Sequence, residues 1–206
     1  MSDFADFGFR KNSTRTDMLS KMPVSASKRF EWSDFSTDAT STLGRGSFGT
    51  VIVAHHQRRG NPKKELVAIK VIDAKSGKSY ADLLQEADHE VEMLMEAQSR
   101  ILSDSNIVKT FGLVAGSISL SPTVKALLGR SDDEIVGVVM SFEVGGSLDN
   151  LLYATSTSPN QELTMKDKLH ILLDISNGLA MIHSQGIVHK DLKPGNVLIS
   201  SMGEIL

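Results

Sequence analysis

Two β-branched runs in the first half of the chain constrain the fold more than any other feature. They occupy residues 50–54 and 66–72, and the break at 58–62 between them contains glycine, asparagine and proline. Valine- and isoleucine-rich runs bounded by turn-forming residues predict β-strands. Residues 107–114 and 135–142 predict two further strands in the same way. The first half of the chain is therefore predicted to be rich in β-structure.

Helical periodicity appears in two long stretches and one short one. Residues 80–102 carry an apolar stripe with spacings of four, four and three, formed by Leu83, Ala87, Val91 and Leu94. A second long helix is predicted over 164–184, and a short helix capped by Ser147 is predicted over 148–153. Strands in the first half and helices in the second predict an α+β fold of two lobes.

The N-terminal residues 1–36 lack a sustained period. They are rich in serine, threonine, aspartate and lysine, which predicts a mostly disordered tail. The aromatic residues Phe30, Trp32 and Phe35 leave open that the end of this tail docks on the folded part. The folded domain is predicted to span 37–206, with its first lobe ending at residue 143 and its second lobe beginning at 144.

A second irregular stretch lies between the last two predicted strands. Residues 117–134 are polar and contain Pro122 and Gly129. Proline and glycine interrupt regular structure, so the stretch is interpreted as an inserted loop with one helical turn.

The composition excludes several classes of protein. The 206 residues carry a net charge of −3, so we expect no bulk attraction to nucleic acid or to anionic membranes. The chain has no cysteine, which excludes a disulfide scaffold, thiolate zinc ligands and a cysteine nucleophile. No apolar run approaches the roughly 18 residues of a membrane span. Asp3 and Asp6 oppose a signal peptide, and a cytoplasmic protein is expected, with the nucleus as the alternative.

A glycine-rich segment precedes the first strand pair. Residues 44–51 read GRGSFGTV, a G-x-G-x-x-G-x-V pattern. Glycines let the backbone close over phosphate groups and adopt positive φ angles. The spacing alone is shared with dinucleotide-binding folds and with ordinary glycine turns. In a dinucleotide-binding fold the glycines open a helix, whereas here a β-branched strand follows them.

A lysine lies one strand-turn-strand unit after the glycines. Residues 67–70 read VAIK, so Lys70 is placed where it and the glycine loop face one cleft. A buried strand that happens to end in a surface lysine is the alternative interpretation. The position of Lys70 relative to the glycine loop favours a phosphate-binding role.

The most specific motif is near the C-terminus, where residues 189–196 read HKDLKPGN. This octet resembles the catalytic loop of protein kinases, H-R-D-x-x-x-x-N. The glycine loop and the VAIK strand also resemble that family, as does the stretch 138–148 with its hinge. The resemblance covers about residues 43–206, with four motifs in the family's order, and residues 106–109 are similar to the tyrosine-kinase-like group of serine/threonine kinases.

The resemblance implies roles for the residues of the octet. Asp191 is expected to accept the proton of a substrate hydroxyl, and Asn196 is expected to bind Mg²⁺. Lys193 resembles the lysine with which serine/threonine kinases stabilise the γ-phosphate of ATP. Phosphoryl transfer depends mainly on alignment and charge neutralisation, and these three side-chain types supply both.

The resemblance also implies a lysine–glutamate pair in the first lobe. Lys70 is expected to hold the α- and β-phosphates and to pair with a glutamate of the helix predicted over 80–102. Glu90 lies at the margin of the apolar stripe and opens an E-V-x-x-L pattern like that of the family. Glu86 is the second candidate, and a solvated surface charge is the plain alternative for either.

The resemblance implies further ATP contacts at the positions of this sequence that match the family's motifs. Met140 takes the gatekeeper position, and backbone groups of Ser141 and Glu143 are expected to bond the adenine. The set of expected ATP-binding residues is Leu43, Gly44, Gly46, Gly49, Val51, Ala68, Lys70, Met140, Ser141, Glu143 and Leu198.

Two departures from the family pattern qualify these expectations. Lys190 replaces the usual arginine of His-Arg-Asp and cannot make arginine's planar bidentate contact with a phosphate. No Asp-Phe-Gly follows Asn196, and a triplet of that sequence, Asp6-Phe7-Gly8, occurs only before the other motifs. We interpret that triplet as a chance match or a short docking segment and not as part of a permuted active site. With the family's later helices missing, the apolar face of the helix at 164–184 is expected to be partly exposed.

The sequence therefore predicts the N-terminal part of a serine/threonine protein kinase. Such an enzyme transfers the γ-phosphoryl group of Mg-ATP to a serine or threonine hydroxyl of a protein substrate. A non-catalytic nucleotide-binding or scaffold module of the pseudokinase kind is the alternative function.

Overall fold

The computed structural model describes residues 9–11, 29–36, 42–46, 49–57, 64–72, 78–100, 106–117, 122–128, 134–153 and 163–200. The strands in these ranges are β1 Phe9–Lys11, β2 Arg29–Phe30, β3 Phe35–Ser36, β4 Thr42–Gly46, β5 Gly49–Gln57, β6 Lys64–Ile72, β7 Thr110–Ser117, β8 Glu134–Ser141 and β9 Ile187–His189. The helices are α1 Tyr80–Arg100, α2 Pro122–Leu128, α3 Leu148–Tyr153 and α4 Met165–Ser184. Short 3₁₀ turns occupy Trp32–Asp34 and Pro194–Asn196.

Seven of the strands form one sheet. Its order is β2-β7-β8-β6-β5-β3, with β4 also paired to β5. β2 runs parallel to β7, and the other pairings are antiparallel. β1 and β9 form a separate antiparallel pair. The prediction of an α+β fold with a β-rich first lobe is confirmed.

The two long helices begin at the same kind of cap. In α1 the hydroxyl of Ser79 accepts from the backbone N–H of Asp82 at 3.2 Å, and the Asp82 carboxylate accepts from the N–H of Ser79 at 3.2 Å. In α4 Thr164 and Asp167 exchange the same two bonds, at 3.2 and 2.9 Å. Each of these capping boxes provides acceptors for backbone N–H groups that have no intrahelical partner in the first turn.

The inner face of the sheet packs on α1. Leu83, Ala87 and Val91 of that helix form a buried cluster with side chains from β6, β7 and β8. These three residues belong to the stripe predicted from sequence. Burial of this face places α1 against the strands that carry the candidate phosphate-binding residues.

The outer face of the sheet is covered by the N-terminal segment and by α2. Phe30, Trp32 and Phe35 join Val124 and Leu128 in one buried cluster with the outward side chains of β5 to β8. Trp32 is 2% exposed. Residues 29–36 are therefore part of the sheet and its core, as the docking alternative held, and the lower boundary of the folded part differs from residue 37.

The insertion between β7 and β8 also differs from the sequence prediction. Residues 122–128 form two helical turns instead of one, and two of their side chains are fully buried. β7 begins at Thr110 and not at residue 107. The carbonyl oxygen of Asn106, four residues earlier, lies close to Gly178 of α4.

Helix α4 is packed along one side only. A Cβ at Gly178 would lie 2.5 Å from the carbonyl oxygen of Asn106, so a glycine is needed for this approach. Ile182 is buried with Ala97 and Ile187. On the opposite side of the helix four large apolar side chains are 57–70% exposed: Met165, Leu169, Leu172 and Leu173.

Ile171 and Ile175 of α4 also pack, against the buried cluster of Leu148 and Val197. Leu179 packs beside the buried Ile182, whereas Leu169 and Leu172 face solvent, so the apolar face of α4 is only partly buried. No helix in the described ranges is both long and apolar enough to span a membrane.

Candidate active site

The pairing of β5, β6 and β8 aligns the expected ATP-binding residues in two rows. Val51 pairs with Lys70, which pairs with Val138, and Ala68 pairs with Met140. Directly paired residues lie on the same face of a sheet. Val138 packs on α1, and this assigns both rows to the inner face.

The glycine loop forms the hairpin between β4 and β5. Gly49 has a φ of 134°, and a Cβ at this position would lie 2.0 Å from the carbonyl oxygen of Val71. Only glycine fits there. A Cβ at Gly44 would meet no heavy atom within 4 Å, and Leu43 beside it is 55% exposed. Gly46 pairs with Gly49 at the hairpin end, so the third glycine shapes the hairpin while the first faces open space.

The two candidate glutamates of α1 have different surroundings. Glu86 accepts from Nζ of Lys78 at 2.8 and 3.0 Å. Glu90 is 6% exposed on the side of α1 that packs on the sheet. A buried carboxylate is costly unless a cation or hydrogen-bond donors compensate its charge. Burial on the sheet side favours Glu90 over Glu86 as the partner of a sheet lysine.

The connection after β8 is held by backbone bonds. The N–H of Ser141 donates to the carbonyl of Lys109 at 2.8 Å. The carbonyl of Glu143 accepts from the N–H of Gly146 at 3.3 Å, which closes a turn at a positive φ of 72° for Gly146.

The segment after the HKDLKPGN octet lies against this turn. The N–H of Gly145 donates to the carbonyl of Ile199 at 3.0 Å, and the N–H of Leu148 donates to Val197 at 2.8 Å. Ser147 and Leu198 form a bridge between the two segments. Leu198 is thereby fixed directly beside the connection that contains Ser141 and Glu143.

The octet itself is organised around the carboxylate of Asp191. Its Oδ2 accepts from Nζ of Lys193 at 2.6 Å and from Nδ2 of Asn196 at 2.9 Å. Nδ2 of Asn196 also donates to the backbone carbonyl of Asp191 at 2.7 Å. The 3₁₀ turn Pro194–Asn196 makes this return possible, because proline at its first position presets the helical φ.

These contacts determine the charge at the loop. The Lys193 hydrogen bond, with help from Asn196, lowers the pKa of Asp191 below its ordinary value of 3.8, so the carboxylate is ionised at neutral pH. His189 accepts from the N–H of Asp191 at its Nδ1, at 3.3 Å. Burial lowers the pKa of His189 below 6.5, against an opposing effect of Asp191. The site therefore combines an anionic base with a neutral imidazole that fixes its backbone.

The HKDLKPGN octet contains an oxygen that can bind a cation. Both amide hydrogens of Asn196 point to Asp191, which leaves the amide oxygen as a ligand for a hard cation. Within the described ranges no three His, Asp or Glu side chains cluster as a complete metal site. The residues fit a Mg²⁺ that reaches the protein already bound to phosphate.

The sequence matches the protein kinase domain over residues 37–206. The chain belongs to the protein kinase family. The glycine hairpin, the sheet lysine, the hinge and the catalytic loop thus occur in a kinase domain with an ionised aspartate at the loop.

Individual relatives are serine/threonine kinases at low identity. A probable serine/threonine-protein kinase of Dictyostelium discoideum is 28% identical over 86% of this chain and 11% of its own length. Mitogen-activated protein kinase kinase kinase 3 of Arabidopsis thaliana is 29% identical over 93% of this chain and 26% of its own length. The chain spans 11% and 26% of the length of these two relatives, so the whole proteins' activities are not assigned to it.

The structure brings most predicted site residues to the inner face, the hinge and the loop. Sequence reasoning missed two supporting residues. Gly145 is needed because a Cβ would lie 2.5 Å from the carbonyl oxygen of Ile199, and the Gly145-Gly146 pair was the available sign. His189 holds the backbone of Asp191, a contact that depends on the loop's turn and has no sequence pattern of its own.

Proposed function

We propose that this kinase domain binds Mg-ATP and transfers its γ-phosphoryl group to serine or threonine hydroxyls of a protein. The observation that carries the proposal is the bonding of Asp191, whose carboxylate is held by Lys193 and Asn196. An aspartate held in this orientation is ionised at neutral pH and can accept a hydroxyl proton.

Each residue of the site has a step to perform. Asp191 orients the acceptor hydroxyl and takes its proton while the new oxygen–phosphorus bond forms and ADP leaves. Lys193 places a cation beside the transferred group, and Lys70 from β6 binds the α- and β-phosphates with Glu90 as its partner. Asn196 contributes its amide oxygen to Mg²⁺, which supplies charge neutralisation of the phosphates when bound.

Adenine recognition is assigned to the connection between the lobes. The carbonyl of Ser141 and the backbone of Glu143 bond the base, with Val51 and Ala68 on one side and Leu198 on the other. The fixed position of Leu198 beside the hinge supports this arrangement.

The proposal is tested with Asp191→Asn in the full chain. The variant keeps the size of the side chain and loses the base, so we expect phosphate transfer from ATP to a serine-containing protein to fall about 10²- to 10⁴-fold. ATP affinity, measured by isothermal titration, should change little. Asp149→Asn, at an exposed position of α3, is the matched control and should keep full transfer. Equal rates of phosphate transfer by the Asp191→Asn and Asp149→Asn variants would contradict the role of Asp191 as the base.

The non-catalytic alternative makes a different prediction. ATP binding without any phosphate transfer in the unmodified chain would support it. Absence of a thermal shift at millimolar ATP, with and without Mg²⁺, would contradict both functions.

A further inference from the structure

A two-residue strand connects the outer face of the sheet to helix α1. β2 pairs in parallel with β7, with Arg29 opposite Leu113 and Phe30 opposite Val114. Successive side chains of a strand point to opposite faces of the sheet. Phe30 is 7% exposed and belongs to the buried cluster of the outer face. Arg29 therefore projects toward the inner face, on which α1 packs.

On that inner side the guanidinium group of Arg29 binds α1. Its Nη2 donates to Oδ2 of Asp88 at 2.7 Å, and the two side chains are 57% and 24% exposed. The charge of Arg29 also acts on the first turn of the helix. Burial, followed by the charge of Glu134, raises the pKa of the Tyr80 hydroxyl. A backbone hydrogen bond from Gly116 and the charge of Arg29 oppose that rise.

Glu90 lies on the other flank of the same helix. Ala87 faces the sheet and is fully buried. At 3.6 residues per turn, Asp88 lies about 100° to one side of Ala87 and Glu90 about 60° to the other. Any rotation of α1 about its own axis therefore moves both carboxylates together and changes the distance from Asp88 to Arg29. Apolar contacts have no preferred direction, so the ion pair restricts this rotation more than the apolar stripe does.

We propose that Arg29 is a positioning residue for Glu90. By holding Asp88, it keeps α1 in the rotation that directs the buried carboxylate of Glu90 toward the sheet and Lys70. The burial of Phe30 in the outer cluster fixes the strand that carries Arg29. This inference rests on the proposed nucleotide binding, in which Glu90 is the partner of Lys70.

Arg29 would contribute to ATP binding without a contact to the nucleotide. It precedes residues 37–206, which match the protein kinase domain. The contribution therefore comes from a segment outside the matched domain, and it is transmitted through one ion pair to α1.

A double-mutant cycle between Arg29 and Glu90 tests the inference. ATP affinity of the full chain is measured in Mg²⁺ by isothermal titration. An ion pair of this exposure changes an equilibrium constant by at most about fivefold, so we expect Arg29→Ala to weaken ATP binding about two- to fivefold. In the Glu90→Gln background the same substitution should have no further effect, because a residue that acts only through the Glu90 carboxylate cannot act when that carboxylate is absent.

Control variants separate positioning from a general loss of charge. Arg100→Ala removes another ion pair of α1, with Glu96, whose side chain is 26% exposed. This variant should bind ATP like the unmodified chain. Arg29→Lys should keep most of the ATP affinity, because the contact that it replaces is a single hydrogen bond that a lysine cation can also donate.

The fluorescence of Trp32 tests whether residues 29–36 stay docked. Trp32 is the only tryptophan of the chain and is 2% exposed. Its emission in Arg29→Ala should match that of the unmodified chain, since the outer cluster is left intact. A red shift of that emission would overturn the positioning role, because the loss of ATP affinity would then follow from undocking of the segment.

The remaining outcomes distinguish this inference from the proposed function. Unchanged ATP affinity in Arg29→Ala, equal losses in both Glu90 backgrounds, or an equal loss in Arg100→Ala would each overturn the positioning role while ATP binding stands. If the unmodified chain does not bind ATP, or if Glu90→Gln binds it with full affinity, the proposed phosphate-binding pair is itself wrong and the inference falls with it.

Discussion

The sheet of the first lobe and helix α4 of the second differ in how many of their faces are covered. The sheet is packed on both faces, by α1 on the inner side and by residues 29–36 with α2 on the outer side. α4 is packed on one side and leaves four large apolar residues 57–70% exposed. The inner face is covered by a long helix whose apolar stripe is visible in the sequence, whereas the outer face is covered by short segments that sequence patterns barely reveal.

The largest expected effect comes from uncovering the outer face of the sheet. Trp32→Ala removes a side chain that is 2% exposed and contacts the core cluster. Replacing a buried tryptophan by alanine costs about 3–5 kcal/mol of unfolding free energy. Urea denaturation should show this loss as a lower midpoint with an unchanged slope.

Leu172→Ala is the counterpart on α4. Leu172 is 58% exposed, so its loss should change the unfolding free energy by no more than about 0.5 kcal/mol. If Leu172→Ala destabilised the chain as much as Trp32→Ala, the exposed side of α4 would have a partner in solution and the contrast between the two regions would fail.

A smaller effect is expected at the hairpin between β4 and β5, which contains the glycine motif. Gly49→Ala introduces a Cβ 2.0 Å from the carbonyl oxygen of Val71 at a φ of 134°. Overpacking of this kind costs about 1–3 kcal/mol, and ATP affinity should fall with it. Gly44→Ala, whose Cβ meets nothing within 4 Å, should leave the melting temperature within about 2 °C of the original.

The smallest expected effect is a pH dependence of the melting temperature that comes from His189 in the second lobe. Burial lowers the pKa of His189, so below its ordinary value of 6.5 the unfolded chain binds a proton that the folded chain resists. Stability should therefore fall as the pH drops from 6.5 through the lower folded pKa. Melting temperatures from pH 7.5 to 5 should show a shallower slope for His189→Asn. His183→Asn, at an exposed position of α4, is the matched control.

The long elements were predictable because their patterns repeat over many residues. α4 was predicted over 164–184 and runs from Met165 with Thr164 as its cap. The stripe of α1 buries Leu83, Ala87 and Val91 as its spacing indicates. Periodicity states which face of a helix is apolar, but it does not state what covers that face, and so the exposure of Leu169 was not fixed by the pattern.

The short elements were not predictable for a related reason. β2 has two residues and pairs with β7, which begins at Thr110, about 80 positions later in the chain. No local pattern encodes so distant a pairing. The choice between Glu86 and Glu90 was similarly open, because both lie near the same helical face and only the burial of Glu90 and the Lys78 bond of Glu86 distinguish them.

The C-terminal end of α1 is anchored to the second lobe, because Ala97 is buried with Ile182 and Ile187. Glu90 lies seven residues from Ala97, about 10 Å along the helix axis. A tilt of roughly ten degrees about that anchor would move the carboxylate by about 2 Å, enough to make or break a hydrogen bond. The same cluster contains Ile187, the first residue of β9, so the position of Glu90 on α1 and that of the strand before the HKDLKPGN octet both depend on it.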